Sequence, residues 1–209
     1  LLGRIMRIAE LDLHRRSAEP VMDAAHDIGE HIVGHRGNED ADDIGAHRGE
    51  RPRIRIEHIT ELLDCGIDAL THCIETFLSP LVNPPAEAIA LDGAERAWGF
   101  IRRAVDDGTD REARWEMMMA ALEGGMTFQK GLGTVHSLSH AAGALRSPTL
   151  HHGMLNGVFL PHVLRFNADS VGNKYEKLKD LFCIARETEL ATAVSELVQS
   201  LGLPLTLSE

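Results

Sequence analysis

From residue 59 to the end of the chain, apolar positions recur at helical spacing, and no β-alternation of any length appears. The pattern predicts a helix over 59–78, closed by Ser79-Pro80 and Asn83-Pro84-Pro85. A second runs from 85 to about 105 and ends at Asp107-Gly108, and Asp110 caps a third that reaches about 124. Residues 126–130 lead into the turn Gly131-Leu132-Gly133. Further helices are expected over 134–145, about 154–167, 174–187 and 189–201, with Gly202 and Pro204 as stop signals. The predicted class is all-α. Met117, Met118, Met119 and Met126 read as core fillers. Asp106, Asp107, Asp110 and Glu112 read as solvated surface and a helix start.

Residues 1–58 have a different pattern. They hold no Phe, Trp, Tyr or Lys, yet nine Arg and six of the chain's 12 His. Without aromatic side chains such a segment has little from which to build a core. The stretch from Asn38 to Arg53 is polar and punctuated by glycine, so 1–58 is expected to be poorly ordered or unrelated to the rest of the chain, with short helices at most over 4–13 and 20–33. Residues 59–209 form the expected helical domain.

Composition adds exclusions. Hydrophobic residues at 44% and charged residues at 25% are ordinary for a soluble globular protein. A net charge of −11 argues against nucleic acid or an anionic membrane surface as partner, because both need a basic face. No apolar run approaches the roughly 18 residues of a membrane span, and no signal peptide opens the chain. Cys65, Cys73 and Cys183 have no paired spacing and fit reduced thiols in the cytoplasm.

The candidate chemistry lies in four residues. Asp68 and His72 are four positions apart in a predicted helix and share a face. His136 opens a second such pair with His140, and His152 comes after the loop marked by Arg146-Ser147-Pro148. One carboxylate and three imidazoles suit Fe²⁺ or Zn²⁺, with room for a substrate oxygen. Cys73 adjoins His72, but adjacent helical positions diverge by about 100°, which argues against it as a ligand. Gly131-Leu132-Gly133 lacks the third glycine of a phosphate-binding turn, and reads as a helix break that lets His136 approach the metal. His26-Asp27 superficially resembles a phosphohydrolase dyad, but a lone His-Asp pair defines no site.

Several blocks, in order, resemble the iron-containing (group III) alcohol dehydrogenases. These are Gly66-Ile67-Asp68-Ala69-Leu70-Thr71-His72-Cys73-Ile74-Glu75, then Ser79-Pro80-Leu81-Val82-Asn83-Pro84, then Gly131-Leu132-Gly133-Thr134-Val135-His136-Ser137-Leu138-Ser139-His140, and finally the run from His152-Gly153 to Asn167. The resemblance implies the helical metal-binding domain of an NAD(P)-linked dehydrogenase acting on a small alcohol or carbonyl compound, with Asp68, His72, His136 and His152 as metal ligands. It favours His152 over His151, because His152 directly precedes Gly153 as in the family's His-Gly pair. His140 resembles a family position near the nicotinamide, implying a role in substrate or cofactor positioning or proton relay. His162 is expected at a helix end or lining the cleft. Family members also carry an N-terminal α/β domain whose glycine-rich turn holds the cofactor pyrophosphate, and no such unit is recognisable here. The expectation is therefore a fragment, trimmed at its end, behind an unrelated or mistranslated N-terminus; a homo-oligomer is left open. The rivals are a non-catalytic metal-binding helical fragment and a metal-dependent hydrolase.

Overall fold

The computed structural model of the chain describes residues 56–145 and 150–208. Residues 1–55, with the helices expected over 4–13 and 20–33, and the Arg146-Ser147-Pro148 loop lie outside them. The described residues are helical, with no strand among them, as the apolar spacing predicts. The helices are α1 (Ile56–Leu78), α2 (Pro84–Asp106), α3 (Arg111–Met126), α4 (Thr134–Gly143), α5 (His152–Asn167), α6 (Lys174–Leu181) and α7 (Leu190–Ser200).

Local chemistry sets most of these limits. Asn83 Oδ1 accepts from the Ala86 amide, and Pro84 and Pro85 supply the fixed φ of a first helical turn. Asp110 Oδ1 caps α3 through the Ala113 amide at 3.0 Å. α1 is the central element, packed against α2 and α3 on one side and α5 on the other, with α4 and α7 on α5. Ile67, Leu70, Ile74 and Phe77 are at most 1% exposed, each such burial contributing about 1.5–3 kcal/mol. The buried hydroxyls of Thr71 and Thr76 return to the carbonyls of Ile67 and His72 on α1 itself, so they leave no unpaired polar group in the core. The buried face of α2 is mostly alanine (Ala86, Ala90, Ala94, Ala97, Ala104), which brings its backbone close to α1 and α3.

Three expectations need correction. The helix expected over 174–187 ends at Leu181, because Cys183 adopts φ +55° and the amides of Cys183 and Ile184 bond back to Asp180 and Lys179. That left-handed closure normally announces itself with glycine, and here a cysteine conceals it. Of the methionines expected in the core, Met117 is buried, but Met118 and Met126 are more than half exposed. α3 is apolar around much of its circumference, so its pattern did not say which face turns inward. His162 stands mid-helix in α5 and is exposed, not at a helix end.

Candidate metal centre

Asp68, His72 and Glu75 occupy positions i, i+4 and i+7 of α1 and so share a face. α4 presents His136 and His140. α5 opens with His152 and carries Asn156 one turn later. Where these helices meet, the Nε2 atoms of His72, His136 and His152 lie 3.4, 3.2 and 3.4 Å from one atom, Asp68 Oδ1. Asp68, His136 and His152 offer donor atoms within 4.8 Å of one another. His72 adjoins them with its ring stacked on His136, centroids 4.4 Å apart and planes 16° from parallel, and Phe128 packs edge-on against it. The His152 side chain is 39% exposed and that of His136 only 3%, so the cluster is closed behind His136 and open at His152. His140 stands beside both, with ring centroids 6.0 Å from His136 and 5.0 Å from His152. His151 is outside the cluster, exposed and paired with Asp64 at 3.7 Å. The Cys73 thiol is buried and donates to the Ala120 carbonyl, towards α3.

Two residues for which the sequence suggested no role complete the arrangement. Glu75 accepts from His136 Nδ1 at 2.7 Å, from the Val135 amide at 2.7 Å and from the Gly133 amide at 2.9 Å. Asn156 is fully buried and donates through Nδ2 to Asp68 Oδ1 at 2.6 Å, while its own Oδ1 accepts from the Ser139 hydroxyl. Both come a helical step after a candidate ligand, Glu75 three residues beyond His72 and Asn156 four beyond His152, and that spacing was the available signal.

Glycines permit two close approaches. A Cβ on Gly133 would lie 2.6 Å from Glu75 Oε1, and one on Gly153 would lie 2.1 Å from the Asp64 carbonyl oxygen of α1. The first glycine of the turn, Gly131, takes φ +78°. The turn therefore receives a carboxylate of the protein itself.

The charges arise from this packing. Burial alone would raise the Asp68 carboxyl, but hydrogen bonds from His136 and His152 and the nearby His72 hold it well below the usual carboxylate range. Burial pushes His72 down to about 3, against the pull of Asp68, leaving a neutral ring at neutral pH. Burial also opposes charge on His136, but Asp68 and Glu75 outweigh it and raise that ring to about 9. A half-open cavity of about 370 Å³ lies on the far side of Glu75, lined by Leu78, Pro80, Leu132 and Val163 among others, and none of the imidazoles reaches it.

Helices converging a carboxylate and three histidines define a class of helical domain with a candidate metal centre, and the comparisons give it a family. Residues 62–209 match the Fe-containing alcohol dehydrogenase family, C-terminal part. The chain belongs to the iron-containing alcohol dehydrogenase family. It is 51% identical over 151 residues to a 4-hydroxybutyrate dehydrogenase of Cupriavidus necator, covering 69% of this chain and 40% of that protein. It is 32% identical to a 1,3-propanediol dehydrogenase of Klebsiella pneumoniae, covering 66% and 38%. Among solved structures, a 1,3-propanediol oxidoreductase superposes with a TM-score of 0.64 at 30% identity, covering 72% and 41%. The iron-containing alcohol dehydrogenase of Thermococcus thioreducens gives 0.63 at 29%, covering 70% and 38%. The chain thus spans about two fifths of the length of these relatives.

Proposed function

We propose that this chain contributes the metal-binding helical domain of an NAD(P)-linked alcohol dehydrogenase, interconverting a small alcohol with its aldehyde or ketone. The observation that carries the reading is the convergence of three imidazole Nε2 atoms on one ionised carboxylate oxygen. That donor set, largely buried but open at His152, fits Fe²⁺ or Zn²⁺ with a position left for a substrate oxygen. Asp68, His72, His136 and His152 would hold the ion, which supplies Lewis acidity towards an alcohol or carbonyl oxygen. The chain's own residues orient and move protons. Glu75 and Asn156 hold His136 and Asp68 in place, and His140, whose ring stands beside those of His136 and His152, would exchange a proton with the substrate hydroxyl. The named activities of the relatives support a short alcohol carrying a second oxygenated group. The free thiols of Cys73 and Cys183 support a reducing compartment, the cytoplasm, and no helix among the described residues is long and apolar enough to cross a membrane.

Hydride transfer is the chemistry of the nicotinamide, and the described residues contain no strand–glycine–helix unit to anchor its pyrophosphate. That favours a second reading for the described helices by themselves, metal binding without turnover. Zn²⁺ or Co²⁺ titration, followed by incubation with alcohol and NAD(P)⁺, tests both. About one ion per chain and no rise in reduced nicotinamide absorbance is expected for the chain alone, with activity when it is joined to a nucleotide-binding domain. Equal ion occupancy in wild type and in a His136→Ala, His152→Ala double variant would refute the site.

A further inference from the structure

An imidazole can ligate a metal through Nε2 only if Nε2 carries no proton, and the hydrogen bond at Nδ1 decides which nitrogen keeps it. His136 Nδ1 faces Glu75 Oε2 at 2.7 Å, in a pocket where the His136 side chain is 3% and that of Glu75 5% exposed. The same carboxylate accepts from the Gly133 and Val135 amides. Those amides open α4, the helix that carries His136. All three groups facing Glu75 are donors, so a neutral side chain with an amide of its own cannot satisfy them. Gly133 is the space that admits the carboxylate, since any Cβ there would stand 2.6 Å from Oε1.

We infer that Glu75 is a positioning residue for metal binding: its charge holds the proton of His136 at Nδ1, so that Nε2, towards Asp68, is the nitrogen freed for a metal, and its amide contacts set the start of α4 relative to α1. The inference rests on the metal-site reading above and adds to it a residue that touches neither metal nor substrate. In Glu75→Gln the side-chain oxygen keeps the Val135 amide at the Oε1 position and the NH₂ takes the Oε2 position, where His136 Nδ1 is the one group that can accept from it; the neutral ring's proton then lies on Nε2, facing Asp68 Oδ1. Gly133→Ala reaches the same end without changing charge, by displacing the carboxylate.

Long-range ¹H–¹⁵N spectra of the full chain with ¹⁵N-labelled histidine, metal-free and at a pH where the ring is neutral, read the tautomer directly. Wild type should show His136 protonated at Nδ1, and Glu75→Gln should show it at Nε2. Zn²⁺ affinity should fall by roughly 10- to 100-fold in Glu75→Gln and in Gly133→Ala, and the double variant should lose little more than either alone. Glu87→Gln, whose partners are Lys130 and Lys174, removes an ion pair remote from the cluster and should leave tautomer and affinity unchanged. An Nδ1–H tautomer persisting in Glu75→Gln, or strictly additive losses in the double variant, would overturn the inference. If Glu75→Gln does not fold, Gly133→Ala with undiminished Zn²⁺ affinity overturns it equally. A wild-type chain that takes up no Zn²⁺ refutes the metal reading instead, and the metal-free spectra still decide what Glu75 does.

Discussion

At Gly153 the distance to the neighbouring helix leaves no room for even a methyl group, because its Cβ would stand 2.1 Å from a backbone atom of α1. Backbone cannot swing aside as a flexible side chain can, so α5 itself must shift and take His152 with it. Gly153→Ala should therefore destabilise the chain by about 3 kcal/mol, the upper end for overpacking, and weaken metal uptake as well. Urea denaturation checks the first effect and Zn²⁺ titration the second. Asn156 acts differently. Replaced by alanine, it takes one hydrogen bond from Asp68 Oδ1, which keeps its imidazoles, and one from the Ser139 hydroxyl, which keeps the Val135 carbonyl, a loss of about 1–3 kcal/mol for the two bonds together. A denaturation midpoint equal to wild type would show that neither bond matters.

Among the helices, the packing of α2 on α3 carries a pH-dependent element away from the cluster. Burial pushes the Glu123 carboxyl up to about 7, and the facing Asp92 carboxylate adds to the rise. Arg96 lies against Asp92, Glu116 and Glu123, and the Cys73 thiol of α1 closes the group. The folded chain thus holds a proton at Glu123 that the unfolded chain releases near 4.5, so stability from this carboxyl declines as pH rises from about 4.5 to 7. Glu123→Gln should flatten that decline and raise the melting temperature at pH 8, measured by calorimetry from pH 4.5 to 8. The helices themselves were largely legible in the chain. Asn83, the paired prolines and Asp110 are local stop and start signals, and they placed α1, α2 and α3 within a few residues. The end of α6 was hidden because Cys183 does what glycine usually does. Three-residue and four-residue steps were enough to suggest which imidazoles share a face, but the roles of Glu75 and Asn156 arise only where α1, α4 and α5 touch.

For the whole molecule, the proposed ligands come from three separate helices, so a bound ion acts as a cross-link within the fold. Zn²⁺ at about 100 times its dissociation constant should stabilise the chain by about 2.7 kcal/mol. A melting temperature indifferent to Zn²⁺ and to chelator would contradict that coupling. A second feature at this scale is the stripe formed by Trp115, Met118, Leu122 and Met126 along α3, each more than half exposed. Contiguous apolar surface of this kind promotes association. The chain should scatter light and bind a hydrophobic dye at concentrations where a Met118→Glu, Leu122→Glu variant does neither, with Zn²⁺ affinity unchanged between them.

The contact between Glu75 and Gly133 also restricts how this domain can vary by descent. A single change at position 133 strands a carboxylate against a new side chain, and a single change at 75 leaves two amides and an imidazole without their acceptor. A lineage leaving this arrangement must therefore alter both sites together or pass through an ancestor that binds its ion poorly. Across diverged sequences the two positions, 58 residues apart, should change as a pair.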